Sequence, residues 1–427
     1  MTVVPIDHDP GRTSAPPPLR WPLAVALVGV LAAAVVGVMI ADLRAPPPDA
    51  AATPLFASTL SSAADAPDDA PRRRSSFATA LVTSATPLSP ASSGARPAAG
   101  EVEVCGLGFV ARSEADPFGA AHLSSAIRLD AHRRLRAAMQ GSADERVRAV
   151  GWLFAAWNRG DDAAWNAEGG EDGVEQLARI AMRSQDPFVY GLAELACRRP
   201  GRAPAPACQM IGAEQWSRID ARNVVPWLQR AADARARGDA AAEAEAMYRA
   251  SIATKSDTHW GAVPSLVAQA LPADMPLAGR TVVIAEAWLL QSLVAPFDLY
   301  RVMPYCSAEA VRDGNRLQVC DALARVLVDH GRSALDGTIG RRIGELAGWP
   351  PARIDALREE RQAVLDAAAA YVGSRGLSCS GVERSIRWAR MTAAYGETGA
   401  ARELLPTLGP ADDSARRVAA SDAPTPR

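Results

Sequence analysis

Lysine is almost absent from this sequence: Lys255 stands alone, and arginine supplies the rest of the 46 basic residues. Schiff-base chemistry would therefore have a single side-chain amine to use. Histidine is scarce as well, with five in 427 residues. No H-E-x-x-H and no paired His/Cys set occurs, so zinc-type ligation lacks a framework and no metal or cofactor is expected. Aromatics make up only 5% of the chain, and the formal charges nearly cancel at −2. That balance supplies no global field for nucleic acid, and none is expected as a partner. The arginine- and alanine-rich composition points to a GC-rich, bacterial coding sequence.

Charge is missing altogether from residues 23–41, LAVALVGVLAAAVVGVMIA. As a helix rising ~1.5 Å per residue, this run nearly spans a ~30 Å hydrocarbon layer. We expect residues 22–41 to be an uncleaved transmembrane anchor behind a short cytoplasmic tail, 1–21. Trp21 would lie at the interface. A cleaved signal peptide is the alternative, but the run exceeds the usual ~7–15 residues and no A-x-A site follows it. Arg12 and Arg20 precede the span and Arg44 follows, which favours the amino terminus inside and the main domain in the periplasm. Gly29, Ala33 and Gly37 share one helix face as a small-xxx-small pattern, a candidate homodimer seam.

Residues 42–100 are rich in Pro, Ala, Ser and Asp and show no sustained period. Such a stretch buries too little apolar surface to offset its ordering entropy, so it is expected to be a flexible tether with a reach of about 40 Å. Its Arg72-Arg73-Arg74 cluster reads as a solubilising charge group. The helical period starts near residue 116. Leu123, Ile127, Ala131, Leu135 and Met139 make one i, i+4 stripe; Val147, Val150, Gly151, Phe154 and Trp157 make another. Ser142 with Glu145, Asp172 with Glu175, and Ser380 with Glu383 have capping-box spacing, and Asp186-Pro187 places a cap before a first-turn proline. Strand-like alternation is limited to Val102-Glu-Val104 and Thr281-Val-Val-Ile284. The expected domain is all-α over 101–408, an irregular right-handed helical stack or a solenoid of helical hairpins, with a disordered tail at 409–427.

Six cysteines, all after the apolar run and without C-x-x-C spacing, read as structural disulfides in an exported domain. Fifteen pairings are open. Local closure is entropically cheapest, so Cys197 is expected with Cys208 and Cys306 with Cys320, leaving Cys105 for Cys379.

Trp227 is followed by Gly238, Tyr248 and Ala250, and Trp388 by Tyr395 and Gly399. These two stretches resemble the tetratricopeptide helix-turn-helix, in which the large residue packs between helices and glycine permits the turn. Ala234 stands where that pattern has an aromatic. The resemblance implies hairpins of two helices and partner binding on a concave surface.

No catalytic constellation emerges. Cys105-Gly-Leu-Gly-Phe-Val-Ala111 fits G-x-G-x-x-A, but no alternation of strand and helix follows, so the glycines read as a turn beside a disulfide. His259, near Asp257, has the form of a base with an orienting carboxylate, yet no nucleophile motif (G-x-S-x-G or S-x-x-K) accompanies it. A loop histidine is the simpler account. Arg128, His132, Arg133, Arg134 and Arg136 form a basic stretch that reads as a solvated helix face. The absence of a Glu-Ser pair removes one link to helical peptidoglycan lyases. The leading expectation is a membrane-tethered scaffold or adaptor with a protein partner in the bacterial cell envelope. The alternative is an extracytoplasmic hydrolase of cell-wall material, which requires a cleft holding two carboxyls about 5 to 9.5 Å apart.

Overall fold

The computed structural model describes residues 97–157, 173–198, 205–293, 303–372 and 376–404. The expected anchor with its Gly29, Ala33, Gly37 face, the short amino-terminal tail, all but the end of the tether, and the tail from 409 lie outside the described residues. Among those described, no helix is long and apolar enough to cross a membrane.

A β-hairpin comes first, β1 (Glu101–Val104) antiparallel to β2 (Gly108–Ala111). Gly106 and Gly108 take φ of 87° and 84° in the turn between them, a left-handed conformation that glycine adopts without a Cβ clash. The two glycines thus belong to a hairpin turn. Thirteen α-helices make up nearly all the rest of the described structure.

Helices α1 (Ser125–Gln140) and α2 (Glu145–Trp157) carry the two apolar stripes. Ala131, Leu135 and Met139 are buried on α1, and Val147, Val150 and Phe154 on α2. The chain continues through α3 (Gly173–Ala181), α4 (Pro187–Cys197), α5 (Ala213–Ile219), α6 (Val224–Ala236) and α7 (Ala240–Ser251). Asp186 caps α4 by accepting from the Phe188 N–H at 2.9 Å, with Pro187 in the first turn. Then come α8 (Ala262–Ala270) and α9 (Leu277–Leu293). Thr281–Ile284, where alternation hinted at a strand, lies inside α9 with every one of its residues buried. A β-branched run packed on all sides gains more from burial than its helix propensity loses, which is a few tenths of a kcal/mol per residue.

The last four helices are α10 (Gly314–Asp329), α11 (Ala334–Leu346), α12 (Pro351–Val372) and α13 (Cys379–Leu404). Most helices pack on their neighbours in sequence, but α7 also meets α10, and the α8–α9 hairpin is contacted by α1 and by α13. The helices therefore close into a circuit, with first and last elements sharing one central hairpin. One large apolar core runs through most of them. Smaller clusters lie between α12 and α13, and beneath the β-hairpin, where Val104 and Leu123 pack on Ala278 and Val282.

Three disulfides pin this arrangement: Cys105–Cys379, Cys197–Cys208 and Cys306–Cys320. The two local bridges hold loops between adjacent elements, and the first joins residues 274 apart.

The first tetratricopeptide-like stretch forms the α6–α7 hairpin. Trp227 is 9% exposed and its Nε1 donates to the Ala221 carbonyl at 2.8 Å, while Gly238 makes the turn with φ 72° and Ala250 is fully buried. Tyr248, by contrast, is half exposed. In the second stretch Trp388 is buried against Tyr371. There the left-handed residue is Gly396 (φ 75°), which kinks α13, while Gly399 is an ordinary helical residue one turn above Tyr395.

Candidate functional site

An apolar groove of ≈ 350 Å³ lies between the start of α1, one face of α9 and the beginning of α13. Its walls are Leu123, Val282, Leu289, Leu377 and Val382, with Phe118 on the rim. The Phe118 ring is 48% exposed and rests on the backbone of Gly376, where a Cβ would come within 2.6 Å of the ring. Leu107 and Phe109, in and beside the hairpin turn, are also exposed apolar residues.

The Cys105–Cys379 bridge fixes this corner. Cys105 N–H donates to the Leu377 carbonyl at 2.8 Å, and the Thr281 hydroxyl donates to the Cys105 carbonyl at 3.2 Å. Gly106 passes so close to α9 that a Cβ would fall 2.2 Å from the Ala278 nitrogen. The α9 and α13 walls of the groove are thereby tied to each other through the hairpin. Two charged side chains reach it, Arg128 from α1 and Glu286 from α9. Glu286 is bonded to His132, one turn beyond Arg128, so two members of the basic stretch face the domain rather than open solvent. Arg134, in the same stretch, does lie outward, on Asp130 and Asp274.

Chemically the groove is apolar, with few polar side chains among the described residues that line it. Glu286 is the single carboxylate among the described residues that line it, and Thr281 already donates to backbone carbonyls. A large apolar concavity with a few polar groups is the usual form of a ligand or peptide site.

His259 lies elsewhere, in a polar knot between the loops that precede α6, α8 and α11. Its backbone N–H donates to Asp257 Oδ1 at 2.8 Å, and its Nδ1 stands 3.8 Å from Asp257 Oδ2. The residue takes φ 54°, a left-handed conformation uncommon outside glycine. Burial, opposed by the nearby Asp257 charge, holds its pKa below the ordinary histidine value. Its Nε2 is buried without a hydrogen-bond partner and it lines a cavity of only ≈ 20 Å³, about the room of one water. Around it, Asn223 bridges Asp220 and the backbone of Asp257, and Lys255 pairs with Asp220 at 2.8 Å. Arg332 joins Asp257 from the far side at 3.3 Å. The knot stitches these loops together, and its cavity has room for about one water. It escapes sequence reasoning because its residues come from three distant segments, although Asn223 and Ser333 are visible beforehand as helix-cap residue types.

The described residues make an all-α, disulfide-bonded domain with an apolar trough beside the Cys105–Cys379 bridge. No family model, no curated protein and no solved structure matches the chain.

Proposed function

We propose that this chain is a non-enzymatic scaffold or adaptor of the bacterial cell envelope, holding an apolar segment of a protein partner in the groove beside Cys105–Cys379. Residues 22–41 anchor it in the inner membrane with the amino terminus cytoplasmic and the helical domain periplasmic. The 42–100 tether lets the domain stand off the bilayer, and Gly29, Ala33 and Gly37 pair two anchors. The domain is taken as an irregular helical stack related in style to tetratricopeptide hairpins.

The groove carries this reading. Its apolar walls, with Phe118 half exposed at the rim, leave apolar surface that a partner segment would cover. At about 25 cal/mol per Å², covering even 150 Å² of it is worth roughly 4 kcal/mol before association costs. A groove lined by Glu286 alone among carboxylates gives no support to the two-carboxylate hydrolase.

The test places a photo-crosslinking amino acid at Ser385, on the groove wall, in cells expressing the full chain. A defined adduct with another envelope protein is expected. It should disappear when Ala285, an exposed groove residue, is replaced by tryptophan to fill the trough. An adduct that persists in Ala285→Trp, or none at all, removes the groove as the docking site.

A further inference from the structure

The chain enters the domain at the rim of the groove. A Cβ on Gly119, beside the rim residue Phe118, would stand 3.1 Å from Val102 Cγ1 of β1. Val104 shares one apolar cluster with Leu123 and Val282, and these two line the groove. The Gly100 carbonyl accepts from the Arg112 N–H at 2.9 Å, which holds the last residue before β1 to the hairpin. Whatever precedes β1 is therefore delivered to this corner. The far end of the domain is placed differently: Val382 and Ser385 line the groove, but Leu404, which ends α13, packs in the separate α12–α13 cluster. Ahead of the hairpin, residues 75–95 carry no charge, in a chain that is 22% charged, and gather Phe77, Leu81 and Val82 within a few positions. Matter of that kind suits an apolar trough, where a charge would lose its hydration.

We propose that residues 77–82 of this same chain cover the groove at rest, so that a partner segment gains it only by displacing them. The proposal rests on the reading of the groove as a docking site. As a coil, the roughly 20 residues from Val82 to Val102 have an r.m.s. span of about 25 Å. The groove face of α9 between Val282 and Leu289 is only ~10 Å long. The segment therefore reaches every part of the trough, and the half-exposed Phe118 ring would be covered with it. A short linker presents its segment at an effective concentration on the order of 1 mM. An intrinsic dissociation constant of about 1 mM then keeps the groove covered half the time. A partner present at about 1 μM must bind roughly a thousandfold tighter to match that occupancy. The cover thus sets an affinity threshold and shields the apolar walls from unspecific contacts.

The test uses the purified full chain in lipid nanodiscs, with a photo-crosslinking amino acid at Ser385 and no other protein present. Peptide mapping by mass spectrometry is expected to find an adduct from residue 385 to residues 77–82. Mixed light and heavy isotope-labelled chains should show that it forms within one chain. The Phe77→Asp/Leu81→Asp double variant should lower its yield at least about tenfold, since two charges would have to enter the trough. Ala285→Trp, which fills the trough, should do the same. In cells, the adduct with a partner protein should rise at least about twofold in the double variant. An internal adduct formed while no partner adduct appears in either chain supports the cover and removes the partner reading. A partner adduct of equal yield in parent and double variant overturns the cover and leaves the docking site standing. Absence of an adduct to residues 77–82, its formation only between light and heavy chains, or its persistence in the double variant also overturns the proposal.

Discussion

The carbonyl oxygen of Arg332 lies 2.6 Å from where a Cβ would stand on Gly396, and it accepts from the Glu397 N–H at 2.6 Å. The kink in α13 thus exists to let that helix close onto the loop before α11. The Arg332 side chain completes the joint, donating to the carbonyls of Ala393 and Ala394 at 3.2 and 2.8 Å while pairing with Asp257.

Removing that side chain should loosen three elements together. Arg332→Ala is expected to lower stability by about 3 kcal/mol, because it strands the Asp257 carboxylate and two carbonyls. The urea unfolding midpoint of the helical domain measures it. A loss under 1 kcal/mol would show that the joint is solvated in solution.

Glycines with the same sign of φ should differ sharply on substitution. Gly238 has open space around its missing Cβ, so Gly238→Ala should cost about 1 kcal/mol from backbone strain alone. At Gly261 a Cβ would fall 1.9 Å from Thr392 Oγ1, and at Gly106 2.2 Å from the Ala278 nitrogen. Alanine at either should cost upwards of about 3 kcal/mol. Thermal melts of the three variants check the ordering.

Acid should act through two opposed groups. Burial raises Asp336 to about 6 from an ordinary 3.8, against hydrogen bonds that its carboxylate accepts from the Ser333 and Arg332 backbones. Its contribution to stability is present below pH 3.8 and is lost as pH rises to about 6, roughly 3 kcal/mol in all. His259, held below its ordinary 6.5, contributes stability at neutral pH that is lost as pH falls from 6.5 through its folded value. Unfolding midpoints between pH 4 and 7 should therefore rise more steeply with pH in Asp336→Asn than in the parent, and less steeply in His259→Gln. Unchanged slopes in both would contradict the assignment.

The long-range disulfide should dominate the other two. Loop closure over 274 residues is worth about 6 kcal/mol, against about 3 kcal/mol for the separations of 11 and 14. The Cys105→Ala/Cys379→Ala double variant should melt lowest of the three double variants. Limited proteolysis should then cut first in the residues before α1.

Helix content and the presence of disulfides were legible because periodic stripes and cysteine count report on local and bulk physics. Cap positions were less so: Ser378 rather than Ser380 accepts from the first turn of α13, and Asp144 rather than Ser142 does so for α2. Neighbouring polar residues compete for the same N–H groups, and packing decides between them. The groove stayed hidden because residues 118–128, 281–289 and 376–385 meet only after folding.

The bridge between the first strand pair and the last helix also has a mechanical meaning. A pull between the chain ahead of residue 105 and the chain beyond residue 379 passes through sulfur and bypasses the helices in between. The 274-residue stretch, roughly 900 Å of chain if extended, carries no load until the bond is reduced. Tension applied between those two flanks would leave the core between the cysteines unstretched.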